Sequence, residues 1–127
     1  INFANGDMVG HTGVFDSGLR AVAIVDQCVG ELIDAVKKQK GIVIVTADHG
    51  TADEMFKQVG DEQVVKTAHT LAPVPLAIFV SASGNVFHFR EDLYSSGRAN
   101  GAATVFNLLG YQAPVGYEPS LLEFKQS

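Results

Sequence analysis

The sequence is poor in several features that would each indicate a particular class of protein. It contains one cysteine and no tryptophan among 127 residues, which excludes an internal disulfide and a thiolate zinc cluster. Its net charge is −5 and its densest basic run is the short segment KKQK, a pattern that excludes a nucleic-acid-binding footprint. No apolar run reaches the length of a membrane span. We therefore expect neither nucleic acid nor a membrane as a partner.

The remaining composition is that of a packed globular domain. Hydrophobic residues make up 46% of the chain and charged residues 18%, values that are typical of a folded core and not of disorder. The length corresponds to one domain. A lone cysteine suits a reducing compartment, so the expected localisation is cytoplasmic. The chain starts with Ile1 and enters directly on an apolar segment, which favours a piece of a longer polypeptide.

The hydrophobic pattern of the first half predicts a strand, a helix and a second strand. Ile1–Asn5 has the character of the end of a buried strand that stops at the turn pair Asn5-Gly6. From Asp16, apolar residues recur at three- and four-residue steps and predict an amphipathic helix of about twenty residues. Ile42–Val45 is a continuous β-branched run, typical of a strand buried on both faces. The predicted buried side of the helix consists of Val22, Val25, Val29, Ile33 and Val36; Asp16 or Ser17 caps its start, and Lys37, Lys38, Lys40 and Gly41 mark its end.

The second half repeats these element types. Leu76–Val80 is another apolar run, and the prolines before it suit the entry of a strand. Val86–Arg90 alternates apolar and polar residues, which predicts an edge strand. Asn100–Leu109 is predicted as a helix that Gly110 closes. The residues expected on its buried side are Ala103, Val105, Phe106 and Leu109. Strands and helices joined in this order indicate an α/β fold.

Five side chains are candidate metal ligands: Asp7 and His11 in DMVGH, Asp48 and His49 in ADHG, and His69 in AHT. Two carboxylates and three imidazoles suit Mn²⁺, Zn²⁺ or Fe²⁺. Ligands in open α/β sheets bind beyond the carboxyl ends of strands, and Asp48 directly follows the predicted strand, taken as residues 42–47. Asp7 also follows a strand-like segment. We therefore expect two neighbouring parallel strands to deliver the first four side chains to one edge of the sheet.

His69 differs because it precedes a predicted strand. To reach the same edge, strand 76–80 must begin at the site and run antiparallel to strand 42–47. Spacing alone leaves a plainer interpretation open, in which the histidines are ordinary core or surface residues and the aspartates form turns or helix caps. His88 is assigned no chemistry, because its alternating strand explains it.

Longer motifs resemble a known family. The strings INFANGDMVGHTG, VTADHGTADEM, TAHTLAPVPLAIFV, ANGAATVFNLLGYQAP and YEPSLLEF closely resemble, in this order, the C-terminal part of cofactor-independent phosphoglycerate mutases of the alkaline phosphatase superfamily. The resemblance implies a three-layer α/β sandwich of alkaline phosphatase type, with a mixed, mostly parallel sheet flanked by helices. It also implies that residues 1–127 are the C-terminal portion of the metal-binding phosphatase-like domain, without its N-terminal portion and without the substrate-positioning transferase domain.

The resemblance further implies an activity and a ligand set. Members interconvert 2-phosphoglycerate and 3-phosphoglycerate, in glycolysis and gluconeogenesis, through a phosphoserine intermediate on two divalent ions. Those ions are most commonly Mn²⁺, and no 2,3-bisphosphoglycerate is required. Carried over by motif, Asp7, His11 and His69 correspond to the ligands of one metal, and Asp48 and His49 to half the ligands of the second.

Parts of the family pattern are missing. No serine, including Ser17, Ser81 and Ser83, stands in the context of the family's nucleophile, and the catalytic lysine is not found. We therefore assign no catalytic residue and expect the isolated chain to lack mutase turnover. Thr51 also stands where the family usually has asparagine, which affects any contact that the asparagine makes with the ligands.

Two other functions stay open at this point. One is another superfamily member, such as a phosphopentomutase, sulfatase or phosphodiesterase, although GYQAP and YEPSLLEF favour the mutase. The other is a stand-alone, non-catalytic module that binds metal. For the mutase, the expected partners are 2- or 3-phosphoglycerate and the remainder of the parent polypeptide. An exposed sheet edge would also invite self-association.

Overall fold

The computed structural model describes residues 1–81 and 87–125. The chain divides into two units, Ile1–Ser81 and Ala82–Ser127, each with helices and strands of its own. No helix within the described residues combines the length and apolar character needed to cross a bilayer.

The first helix, α1, spans Asn5–Gly10, and the strand predicted over Ile1–Asn5 is wrong. Ile1 is 95% exposed, and the Met8 N–H already donates to the Ala4 carbonyl at 2.9 Å. The pair Asn5-Gly6 lies in the first turn of the helix. Backbone N–H groups there have no intrahelical acceptor, so residues that favour turns are tolerated. The first candidate ligands consequently come from a helix and not from a strand.

The second helix, α2, spans Phe15–Lys38 and confirms the predicted amphipathic helix, with 24 residues in place of about twenty. Its N-cap is Val14, without a side-chain cap, so Asp16 and Ser17 lie inside the helix and do not cap it. Its end is a Schellman motif, in which Lys40 N–H donates to Lys37 O and Gly41 N–H donates to Val36 O, both at 3.1 Å. Lys40 takes the left-handed conformation, with φ of 54°.

The buried face of α2 is rotated slightly from the predicted stripe. Gly18 and Ala21 are buried, and Met55, itself 4% exposed, packs there. A Cβ at Gly18 would lie 2.8 Å from the Met55 sulfur, so this approach requires a residue without a side chain. Val22 falls outside the rotated face and is 49% exposed, which corrects its prediction. The other four predicted positions, Val25, Val29, Ile33 and Val36, are half-buried.

Strands β1, Ile42–Thr46, and β4, Leu76–Val80, form a two-stranded sheet. They pair antiparallel, with Thr46 opposite Leu76 and Ile42 opposite Val80. This register confirms that the later strand begins at the carboxyl end of the earlier one. The predicted fold has a mixed, mostly parallel sheet. Within the described residues, the strand pairs are antiparallel.

The chain forms a hairpin between β1 and β4 that the sequence analysis did not predict. Strands β2, Phe56–Val59, and β3, Glu62–Val65, pair antiparallel around Gly60 and Asp61. Gly60 has φ of 61°, which glycine adopts without steric cost at the first position of a two-residue hairpin loop. The Phe56 ring lies 5.8 Å from the Phe15 ring, centroid to centroid, so the hairpin packs on the start of α2.

Over residues 87–125, the second unit contains a strand pair and one α-helix. Strands β5, Phe87–Phe89, and β6, Leu122–Phe124, pair antiparallel, with His88 opposite Glu123. The predicted strand over Val86–Arg90 is confirmed for its centre, while Val86 lies outside the described residues. A 3₁₀ turn, Arg98–Asn100, leads into helix α3, Gly101–Leu108. Gly110 closes α3 as predicted, with φ of 84°.

The inner side of α3 is more polar than its sequence pattern predicts. Ala103 is 1% exposed and Thr104 2%. Thr104 Oγ1 donates to the Asn100 carbonyl at 2.8 Å and accepts the Leu121 N–H at 3.0 Å. Because the hydroxyl makes both of these hydrogen bonds within the protein, Thr104 can be buried on the inner side of α3. Val105 and Leu109, predicted as buried, are 43% and 67% exposed, whereas Phe106 is half-buried.

Candidate metal centre

The first candidate ligands lie at the end of α1. Asp7 is in the helix and His11 is its C-cap, so the four-residue spacing places both side chains on one face. His11 Nε2 lies 3.2 Å from Asp7 Oδ1. The two side chains therefore meet as the sequence predicted, although a helix delivers them.

His69 joins this pair from the loop before β4. Its Nε2 lies 3.3 Å from Asp7 Oδ1. The Thr70 N–H donates to the Gly50 carbonyl at 2.8 Å, forming an isolated bridge that ties the His69 loop to the ADHG loop. The bridge and the start of β4 beside Thr46 bring His69 to the same place as residues that follow β1.

The geometry of these three residues fits a single ion. One potential ligand atom from each of Asp7, His11 and His69 lies within 4.8 Å of the others. Ligand atoms about 2.1 Å from an ion are about 3.0 Å apart at right angles and about 3.4 Å apart in a tetrahedron. The two contacts to Asp7 Oδ1, at 3.2 and 3.3 Å, lie between these values. One carboxylate and two imidazoles form a donor set that suits first-row divalent metals.

The tautomer of His11 also suits ligation. Its Nδ1 lies 2.5 Å from the Thr67 carbonyl oxygen, which has no proton to donate, so Nδ1–H is the donor. In the neutral ring, the lone pair is then on Nε2, the atom that faces Asp7. A metal-binding histidine typically donates its other ring N–H in this way.

The ADHG residues lie beside this group. The His49 ring stacks on the His69 ring, with centroids 3.7 Å apart and planes 19° apart. His49 Nε2 lies 3.6 Å from Asp48 Oδ2, so the two adjacent side chains can face one ion in spite of the alternation expected along a strand. The Asp48 side chain is 82% exposed and that of His49 26%. All five predicted side chains thus lie at one end of the β1–β4 pair.

Gly50 permits the turn that the sequence predicted after His49. A Cβ at Gly50 would lie 2.1 Å from Thr70 Oγ1 and 2.4 Å from Asp53 Oδ1. Thr70 Oγ1 in turn donates to Asp53 Oδ2 at 2.9 Å. The close approach of these three residues therefore requires glycine and fixes the bridge that positions His69.

Sequence reasoning missed the supporting roles of Thr51 and Thr70. Both are buried, at 5% and 6% exposure. Thr51 Oγ1 donates to Asp7 Oδ1 at 2.9 Å. The hydroxyl is the main cause that lowers the pKa of Asp7; burial opposes it, and positive charge on His11, His69 and His49 lowers the pKa further. The one sequence signal was the departure from the family's usual asparagine at Thr51, which marked the position without giving its partners.

His88, which was assigned no chemistry, lies in the second unit. Its Nε2 faces Glu123 Oε2 at 3.3 Å across the β5–β6 pair. This contact is a surface pair, since both side chains are more than half exposed.

Comparisons with known proteins agree with the motifs. The Metalloenzyme superfamily profile matches residues 1–113. The 2,3-bisphosphoglycerate-independent phosphoglycerate mutases of Arabidopsis thaliana and Ricinus communis are 44% and 43% identical, over 97% of this chain and 24% of each relative. A crystal structure of Leishmania mexicana phosphoglycerate mutase at low cobalt concentration matches with a TM-score of 0.92 and 42% identity, over 98% of this chain and 24% of that chain.

These similarities confirm the resemblance stated from the motifs and the α/β fold of alkaline phosphatase type. The chain spans about a quarter of the length of the relatives it matches. Because the superfamily profile covers nearly the whole sequence, the chain belongs to the Metalloenzyme superfamily.

Proposed function

We propose that this chain is the C-terminal, metal-binding portion of a phosphatase-like domain in a cofactor-independent phosphoglycerate mutase. The parent enzyme would interconvert 2- and 3-phosphoglycerate in the cytoplasm, as a step of glycolysis and gluconeogenesis, without 2,3-bisphosphoglycerate. The observation that carries the proposal is the meeting of Asp7, His11 and His69 around one point. The three relatives named above are phosphoglycerate mutases by name, which favours this activity over the phosphopentomutase and phosphatase alternatives.

The chain's own residues would divide between two Mn²⁺ ions. Asp7, His11 and His69 would hold the first, and Asp48 and His49 would supply part of the second. When bound, two such ions neutralise phosphoryl charge and favour ionisation of an attacking hydroxyl. Nucleophile and substrate-orienting groups would come from the remainder of the parent polypeptide, so the isolated chain would bind metal and lack turnover.

His11 and Asp7 would also be preorganised for this role. The carbonyl of Thr67 holds the Nδ1–H of His11, and the Thr51 hydroxyl keeps Asp7 ionised and oriented. Ligands that are fixed before the metal arrives lose less conformational freedom on binding. This arrangement supports tight binding at the first site.

Calorimetric titration of the chain with MnCl₂ tests the metal part of the proposal. We expect one strong site in the wild type and its loss in Asp7→Asn. Activity is tested in the longer protein that contains this sequence, by conversion of 2-phosphoglycerate to 3-phosphoglycerate without 2,3-bisphosphoglycerate. Turnover that requires 2,3-bisphosphoglycerate, or that survives Asp7→Asn, would contradict the assignment.

A further inference from the structure

Thr51 contacts ligands of both proposed ions at once. Its Oγ1 lies 2.9 Å from Asp7 Oδ1 and 3.3 Å from His49 Nδ1. Asp7 belongs to the first proposed ligand set, and His49 to the second. The residue is 5% exposed, so solvent does not compete freely for its hydroxyl. A buried polar group between two ligand sets is well placed to orient both.

The single hydroxyl proton of Thr51 decides how this contact operates. Three acceptors are within reach of Oγ1: the Asp7 carboxylate at 2.9 Å, the Gly50 carbonyl at 2.8 Å and, in its Nε2–H tautomer, His49 Nδ1 at 3.3 Å. A hydrogen bond to an ionised acceptor is roughly twice as strong as one between neutral groups. The proton therefore goes to Asp7, and a lone pair of Oγ1 stays available to accept the Nδ1–H of His49.

We propose that Thr51 is a positioning residue that links the two ligand sets through the relay His49 Nδ1–H to Thr51 Oγ1–H to Asp7 Oδ1. The inference rests on the proposed function, since it assigns Thr51 to the metal ligands named there. In this relay the neutral His49 ring keeps its lone pair on Nε2, because Asp48 Oδ2, 3.6 Å from that atom, is too distant to hold a proton there in a hydrogen bond. One hydroxyl thus sets the tautomer of a second-site ligand and the orientation of a first-site ligand.

The backbone of α1 holds Thr51 in the required rotamer. A Cβ at Gly10 would lie 2.8 Å from the Thr51 methyl group and 3.4 Å from the Ala52 amide nitrogen. Gly10 is buried, so the methyl group packs directly against the helix. This packing opposes rotation about the Cα–Cβ bond and keeps Oγ1 directed between Asp7 and His49.

Nitrogen NMR of the metal-free 127-residue chain, labelled at histidine, tests the relay directly. Imidazole ¹⁵N shifts distinguish the Nδ1–H and Nε2–H tautomers. We expect the Nδ1–H form of His49 in the wild type and in Thr51→Ser, which keeps the hydroxyl. Thr51→Val, which is nearly isosteric, should shift His49 toward the Nε2–H form. An unchanged tautomer in Thr51→Val would overturn the proposal.

Calorimetry with MnCl₂ supplies the second readout. Loss of a ligand's hydrogen-bond partner typically weakens metal binding by roughly 10- to 100-fold, and we expect that loss in Thr51→Val with recovery in Thr51→Ser. Thr104→Val is the matched control, because it removes another buried hydroxyl with two hydrogen bonds that contacts no ligand. Circular dichroism verifies that each variant is folded.

The two experiments separate this inference from the proposed function. A wild-type chain that binds no Mn²⁺ would contradict the metal site, while the tautomer would still test the relay. Wild-type binding together with equal affinity in Thr51→Val would overturn the relay and leave the metal site standing. An equal loss of affinity in Thr104→Val would also overturn the relay, because the effect would then be one of general stability.

Discussion

The Asp7 carboxylate lies 3.3 Å from the His69 imidazole, although α2, β1 and the β2–β3 hairpin separate the two residues along the chain. The His69 side of this contact depends on β4 starting at the carboxyl end of β1, with Leu76 opposite Thr46. An antiparallel pair therefore brings a loop that precedes one strand to a loop that follows the other. The Asp7 side depends on the hydrogen bond that Thr51, in the loop after β1, donates to Asp7 of α1.

His69→Ala is expected to weaken Mn²⁺ binding by more than roughly 100-fold, because losing a direct ligand should exceed the usual effect of losing a ligand's hydrogen-bond partner. The His69 side chain is 51% exposed, so the fold should persist. His88→Ala is the control, with a side chain 55% exposed and paired with Glu123. Calorimetry should show affinity lost in the first variant and retained in the second. Unfolding of the metal-free His69→Ala chain would instead indicate a structural role.

The Arg90–Asp92 pair predicts a dependence on pH in the second unit. Arg90 Nε and Nη2 donate to the two Asp92 oxygens at 2.9 and 2.6 Å, and these bonds lower the pKa of Asp92 from 3.8. Because folding lowers this pKa, the pair stabilises the folded chain above about pH 3.8, and the contribution is lost as the pH falls through the lowered value. The titration of the Asp92 carboxyl carbon, followed by NMR, should have its midpoint below 3.8.

Substitution of Arg90 tests whether its two hydrogen bonds cause the lowered pKa of Asp92. Arg90→Met should move the Asp92 midpoint upward toward its ordinary value, since both donors are removed. Arg20→Met, a change at an exposed arginine of α2, should leave the midpoint where it is. The cause assigned to the lowered pKa would be incorrect if Arg90→Met left the titration unchanged.

Gly50→Ala is expected to lower the free energy of unfolding by about 1–3 kcal/mol, the usual cost of forcing extra atoms into a packed position. The added Cβ would lie 2.1 Å from Thr70 Oγ1. Gly30→Ala is the matched control, because nothing lies within 4 Å of a Cβ at that helical position. That change should stabilise the chain by about 0.5–1 kcal/mol. Urea denaturation measures both, and equal stabilities for the two variants would show that the bridge tolerates a side chain.

Some of the fold follows from sequence periodicity and some from the requirement that the ligands meet. The spacing of apolar residues predicted helix α2, although the small residues Gly18 and Ala21 rotate its buried face. The antiparallel direction of β4 followed from placing His69 with the other ligands. By contrast, α1 has six residues with a glycine at its end. A helix this short is stabilised mainly by its tertiary surroundings, which local pattern does not encode.

The support of the site was harder to predict than its ligands. Aspartate and histidine can be recognised as ligands by residue type alone. The role of Thr51 is recognisable only from its contact with Asp7 of α1 in the folded chain. The role of Thr70 is recognisable only from its contacts with Asp53 and Gly50. A hydroxyl bonds whichever partner the fold supplies, so its role depends on contacts that are distant along the chain. The departure from the family's usual asparagine at Thr51 marked the position without revealing its partners.

The first unit also leaves apolar surface exposed, and we expect the isolated chain to self-associate through it. Phe15, Leu19 and Val22, on one stripe of α2, are 51%, 61% and 49% exposed. Contiguous apolar surface of this kind promotes association, and the β1–β4 pair adds strand edges that can template further pairing. Sedimentation velocity of the wild type should show concentration-dependent oligomers.

The double variant Leu19→Lys with Val22→Lys should shift the chain toward monomer, because lysine is compatible with the helix and charges the stripe. Val115→Lys is the control, since Val115 is an exposed apolar residue too, at 106%, but lies in the second unit outside any helix or strand. It should leave the association unchanged. If the wild type sediments as a monomer at all concentrations, the exposed stripe does not drive association. If both lysine variants dissociate it equally, net charge and not the stripe is responsible.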